Sequence, residues 1–303
     1  MTRVAPALML VLLTACRQEP PAGSPQPVAV AAPGHIHITL RATGRVGDAL
    51  AVVHRRLDAL RDNELAPLAA RAHVIIREDR IVIEAPLLPG ASCESATAAG
   101  WVDAVARTVS RRGTLGFHRV PESGPSLREL LVQSGSGATV KETGRGQVTV
   151  DVPPADIAPV VARLAVPPGA IIVTQGAREG GTELLLVARE PSLTGAALRS
   201  AEVTMDEYRQ LPQVAVDFTE EGSAAFSALS GDVVGQPLAI LFEGALVSAP
   251  RVQQRIEGGR AVITLGAGPT QEVHREAREL ATILTAGAFV APVEVLEQRL
   301  SCE

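Results

Sequence analysis

Apolar positions change period several times along the chain. Residues 36 to 42 alternate as a strand does, and from Asp48 a helical stripe follows in Leu50, Val53, Leu57 and Leu60, at spacings of 3, 4 and 3. His73 to Arg77 and Arg80 to Glu84 are β-branched runs on either side of Glu78-Asp79, which predicts a hairpin whose second strand ends at Pro86 and Pro89. A second helical stripe (Val102, Val105, Ala106, Val109) stops at Gly113, and a strand is expected from Thr114 to Val120. This β-α-β-β-α-β order is the ferredoxin-like arrangement, so residues 35–120 are expected to form one complete small domain.

Residues 127 to 174 give a weaker echo in the order α-β-β-α-β. Val148-Thr149-Val150-Asp151-Val152-Pro153 resembles Ile81-Val82-Ile83-Glu84-Ala85-Pro86. An internal repeat and the common patterning of short α/β units both account for it. After Leu184 to Val187 come a strand Val214 to Phe218, a helix Glu220 to Ser230 led by Thr219, strands Leu238 to Phe242, Leu246 to Ser248 and Ala261 to Leu265, and a helix Thr270 to Ala286 stopped by Gly287. These make a second α+β domain; its bounds, 166–303, with 121–165 as an insertion between the two, are what the family resemblance set out below implies. The fold class expected is therefore α+β: a ferredoxin-like domain plus a second α+β domain.

The start of the chain follows a different logic. Thr2-Arg3 precedes twelve apolar residues, Val4 to Ala15, too few to span a bilayer and suited to an export signal. Leu13-Thr14-Ala15-Cys16 resembles the bacterial lipoprotein signal, in which the cysteine is acylated and becomes the first mature residue. The expectation is a signal peptide over 1–15 and lipidation at Cys16, where two or more acyl chains anchor stably; the alternatives are a buried amphipathic start and a plain secretory signal cut at Ala15. Residues 16–34, with five prolines among small residues, read as a flexible stalk. Arg17 stands where Asp would signal inner-membrane retention in some bacteria, which favours the outer membrane.

Composition narrows the partners. Seven aromatic residues (Phe 5, Trp 1, Tyr 1) and a net charge of -5 leave little material for base stacking or phosphate neutralisation, so no nucleic-acid partner is expected. His35 and His37 share a strand face but have no assignable third ligand, and solvent-facing histidines are the simpler reading. Gly135-Ser136-Gly137 lacks the Gly-Lys-Ser/Thr ending of a phosphate loop. Glu220-Glu221 fits the first turn of a helix, Asp206-Glu207 falls in a loop, and His274 lies on a charged helix face. No catalytic residue, metal or cofactor is expected, and the chain is read as not an enzyme.

Several unlinked blocks carry a family resemblance. Val166-Pro167-Pro168-Gly169, Leu193-Thr194-Gly195, Val214 to Phe218 with Glu221-Gly222, Gly235-Gln236-Pro237-Leu238-Ala239-Ile240, Val247-Ser248-Ala249-Pro250, and Leu280 to Gly287 with Ala291-Pro292 resemble the periplasmic head of SecD, an export-assisting membrane subunit. Arg55 to Asp58, Asp79 to Ile83 and Gly113 to Phe117 resemble the base of the same region. Departures are Phe289-Val290, where the family commonly has Leu-Pro, and the long Pro86-Leu87-Leu88-Pro89-Gly90 turn. In the family a membrane domain follows; here the sequence ends at Glu303, and the chain is read as a stand-alone lipoprotein.

The resemblance implies a periplasmic binding module that contacts unfolded secretory polypeptides or export-channel components, through strand addition or an apolar groove. The alternative is a structural or interaction lipoprotein of the envelope unrelated to export. With Cys16 lipidated, Cys93 and Cys302 remain as an even pair, and an exported location permits a disulfide; two unpaired thiols are the alternative. Val293 to Leu300 alternates like a strand returning to the base, where the family continues into its membrane domain, so a Cys93–Cys302 bond would replace that restraint.

Overall fold

The computed structural model describes residues 34–302, apart from 61–64, 88–90, 92, 94, 145, 178–179, 208–209 and 266–269. The expected signal, most of the stalk and Cys16 lie outside the described residues. The base begins with β1 (Gly34–Ala42), α1 (Val46–Ala59), a single turn α2 (Ala66–Ala69), the hairpin β2 (His73–Arg77) and β3 (Arg80–Pro86), and α3 (Ala96–Ser110). Ser95 caps α3 by accepting the Ala98 N–H at 3.1 Å. Ile36, Ile38 and Leu40 of β1 and Ile81 and Ile83 of β3 meet Val53 and Leu57 of α1 and Val102 and Val109 of α3 in one core.

The chain then leaves the base. Strand β4 (Leu115–Arg119) is where the ferredoxin-like pattern is expected to close, yet it pairs with strands of the second domain and not with β1. The cause is legible in its burial. Leu115, Gly116, Phe117 and His118 are all buried, so the strand needs cover on both faces, whereas helices cover only one face of the base sheet.

A smaller unit follows: α4 (Leu127–Gln133), β5 (Val140–Gly144), β6 (Gln147–Val150), α5 (Ala158–Val161), β7 (Ala170–Gly176) and β8 (Thr182–Ala188). Ser126 and Glu129 form a reciprocal capping box on α4. The antiparallel sheet has the order β5-β6-β8-β7. Leu127, Leu130, Leu131, Val148, Leu184 and Leu186 form its core. The boundary expected at 165/166 runs through this sheet, because β7 and β8 belong with the strands of the insertion.

The head continues with β9 (Leu193–Thr194), β10 (Leu198–Met205), β11 (Pro212–Phe218), α6 (Glu220–Asp232), β12 (Leu238–Phe242), β13 (Ala245–Ser248), β14 (Arg260–Thr264) and α7 (Thr270–Ala286). Its sheets are ordered β10-β11-β14 and β13-β12-β4-β9. Between them Phe117, Phe218 and Phe226 pack with ring centroids 4.5 to 6.0 Å apart, and with Phe242 four of the five phenylalanines build this core. Thr219 caps α6 through the Gly222 N–H at 3.0 Å.

Finally β15 (Val293–Cys302) returns to the base and pairs along the whole of β1, giving the antiparallel order β15-β1-β3-β2. That is the ferredoxin-like order, with the C-terminal strand in the place expected for residues 114–120. The smaller sheet repeats it in permuted form. Strands β5, β6, β8 and β7 stand where β2, β3, β1 and β15 stand in the base, so the element homologous in position to the first strand comes last.

Candidate functional site

Two crossing segments join base to head, 111–114 outward and 287–292 back, and one side chain holds both. Arg56 lies on the buried face of α1 with no solvent exposure. Its Nη1 donates to the carbonyls of Thr108 (3.0 Å) and Arg111, and its Nη2 to those of Arg112 (3.5 Å) and Gly287 (3.2 Å). The guanidinium also sits 4.3 Å from the centroid of the Phe289 ring. Burial pushes its pKa down to about 10, against the attraction of Glu243. Gly113, at φ +77°, is required here: a Cβ would come 2.7 Å from Arg56 Nη2.

Around this pin runs a charged cluster. Arg111 donates to Glu243 and Glu279, both at 2.9 Å, and the Gly113 N–H donates to Glu243 at 2.8 Å. Burial opposes ionisation of Glu243, but the Gly113 and Arg111 hydrogen bonds and the charges of Arg111 and Arg56 outweigh it and hold the carboxyl below its ordinary value. Glu243 occupies the turn between β12 and β13 at φ +53°, an uncommon conformation for a side-chain-bearing residue. Arg55 donates to the Ala286 carbonyl at 2.8 Å and adds a further link from α1 to the end of α7.

Beside the junction lies a cavity of about 640 Å³, walled by β4, β12, the β7/β8 sheet and the end of α7. Leu115, Ile171, Leu241 and Leu284 make it largely apolar, and Arg189 and His118 are its ionisable lining groups. His118 is only 6% exposed, with Nδ1 2.8 Å from the Ala188 carbonyl. A carbonyl can only accept, so Nδ1 carries a hydrogen. The ring lies over Gly116, where a Cβ would come 2.5 Å from Nε2. A largely apolar hollow with few polar groups suits an extended chain or an amphiphile.

The residues singled out by sequence fall elsewhere. His37 lies 3.4 Å from Glu84 and is opposite it in register, with His73 opposite Glu84 on the far side; His35 is exposed beside them. Among the described residues no three His, Cys, Asp or Glu side chains are grouped to hold a metal ion. Glu220 and Glu221 are exposed in the first turn of α6, Asp206 and Glu207 follow β10 in a loop, and Gly135 to Gly137 form the turn after α4. His274 is half-buried on α7. Cys93 and Cys302 have Cα atoms 5.9 Å apart and sulfurs within bonding distance. Sequence reasoning missed Arg56, His118, Arg189 and Glu243. Arg56 alone carried a signal, a charge spaced three residues from Val53 on the face that α1 buries.

Comparison with known proteins gives these features a context. The family model described as SecDF, P1 head subdomain, matches residues 171–291. The protein translocase subunit SecD of Magnetococcus marinus is 39% identical over 127 residues, which are 41% of this chain and 23% of that protein. The chain thus spans about a quarter of the length of this relative. Among solved structures, SecDF in its super-membrane-facing form matches 91% of this chain and 32% of that one, with a TM-score of 0.56 and 24% identity, a likeness of fold. A second, from a structure of a membrane component SecDF that enhances protein export, is covered to 99% by 87% of this chain, with a TM-score of 0.52 and 25% identity. The resemblance to the SecD periplasmic region, read from short blocks, is thus shown in sequence over the head and in fold over most of the chain.

Proposed function

We propose that this chain is a non-catalytic binding module of protein export, held by lipid on Cys16 at the periplasmic side of a bacterial membrane, and that it receives extended segments of exported polypeptide at the head. The observation that carries this reading is the match of residues 171–291 to the SecDF P1 head. The outer membrane is the favoured anchor point on the strength of Arg17.

The cavity beside the junction supplies suitable chemistry. Its apolar walls accept side chains without demanding a sequence. With the ring neutral, His118 Nε2 can accept one N–H, as main-chain recognition requires. The test is photo-crosslinking in cells from Thr194, at the cavity wall, with secretory precursors arrested part-way across the membrane. Adducts with those precursors from Thr194 and not from Val132, exposed on α4, are expected. Equal labelling at both positions, or none at Thr194, rejects the reading.

A further inference from the structure

The base sheet has β15 and β2 at its edges. Among the described residues, β15 pairs only with β1 and β2 only with β3. Strand β15 is the longer edge, ten residues against five, and exposes Val295 and Leu296 at 38% and 39%. A long edge with apolar side chains is a template for another strand unless something blunts it. The bulge where the pairing to β1 shifts, between Thr39 and Leu40, kinks β15 near Leu296 and leaves Glu297 to Cys302 in regular register.

The order of side chains in this stretch says which strand fits. Glu297 and Arg299 are opposite Thr39 and His37, so both stand on the face away from the helices, and they lie 3.2 Å from one another. Gln298 and Leu300 are opposite Ile38 and Ile36 and share the helix-covered face; Gln298 donates to Asp103 of α3 at 3.0 Å. Glu297-Gln298-Arg299 is therefore self-complementary when reversed about Gln298. An antiparallel copy in that register sets Glu297 against the partner's Arg299, Arg299 against the partner's Glu297 and Gln298 against the partner's Gln298.

Neighbouring two-fold registers fail. Centring on Glu297 or Arg299 faces like charges across the axis. The edge of β2, reversed about Ile75, sets His73 against Arg77 and offers no anion.

We infer that the outer edge of β15 is a docking surface for a second copy of this chain, the two base sheets joining antiparallel about Gln298 into one eight-stranded sheet. The contact is isologous, so it closes as a dimer and does not propagate. It is independent of whether the head binds exported polypeptide. Because it rests on charge pairs at the surface, added salt weakens it.

Sedimentation equilibrium of the full-length chain tests the inference. A concentration-dependent dimer is expected. Glu297→Arg and Arg299→Glu each set like charges opposite one another and should weaken dimerisation about tenfold or more. The double variant Glu297→Arg/Arg299→Glu restores both cross-strand pairs and should recover the dimer, with circular dichroism unchanged throughout. A chain that stays monomeric, a dimer indifferent to either single reversal, or a double variant no better than the singles overturns it. Occupation of this edge by a different chain would appear as the first of these.

Discussion

At the scale of single residues, Arg56 and the glycine beside it decide how the two halves of the molecule meet. A buried guanidinium is costly, as its lowered pKa records, and it persists because four carbonyls of helix ends and crossing segments accept from it, that of Arg112 alongside the Phe289 N–H. Arg56→Met keeps the bulk and the contact with Phe289 but takes the guanidinium donors away from the Thr108, Arg111 and Gly287 carbonyls. The expected loss is about 2–4 kcal/mol of unfolding free energy, read as a lower urea midpoint, with Arg56→Lys intermediate because an ammonium cannot fork to both crossing segments. An unchanged midpoint would mean that water replaces the guanidinium without cost. The charge in the apolar stripe of α1 was visible in the sequence, but its partners were not. They are backbone groups from residues 108 to 112 and from 287, and backbone carries no sequence signal. His118 was hidden for a similar reason, since a histidine in a strand takes its meaning from the sheet that covers it.

At the scale of elements, local pattern identified helices and strands well and their partners poorly. The stripes of α1 and α3, the β2–β3 hairpin and the helix capped by Thr219 follow from spacing and caps, which act within one element. Which strand completes the base is a competition between β4 and β15, separated by the whole head. Two-sided burial excluded β4; the alternation of Val293, Val295 and Leu300 with charged neighbours admitted β15. That alternation was readable, but a strand directly after the second helix looked sufficient. For β15 we expect covalent reinforcement, with Cys93 and Cys302 oxidised in protein purified without reductant. A closed loop of 209 residues has an entropic ceiling of about 5 kcal/mol, and strain and residual structure bring the expected gain to about 2–4 kcal/mol. Non-reducing peptide mapping should find the linked peptides, and Cys93→Ser should lower the urea midpoint. Free alkylation of both thiols in the folded protein would contradict the bond.

At the scale of the whole molecule, the chain is a ferredoxin-like base with everything from 111 to 292 inserted before its last strand. The proposed lipidation belongs to this scale because it would set where the chain is held. Cys16→Ser is expected to move the protein from the membrane fraction to the soluble periplasmic fraction, measured by immunoblotting after fractionation; retention on the membrane would argue that something other than acyl chains holds it. The described helices include none long and apolar enough to cross a membrane.

The late arrival of β15 also has a consequence in time. Gly34 is opposite Cys302 in the β1–β15 ladder, a separation of 302 minus 34, or 268 residues. A chain that emerges amino end first presents β1 with no neighbour on that side until almost all of its length has appeared. The smaller sheet, and then the head, whose widest pairing joins β4 to β12, can close while the base still waits, and the longest-range pairing is the slow step. During that interval β1 is an unpaired edge made of Ile36, Ile38 and Leu40, which makes the newborn base, rather than the finished head, the part of this protein most in need of protection from stray strands.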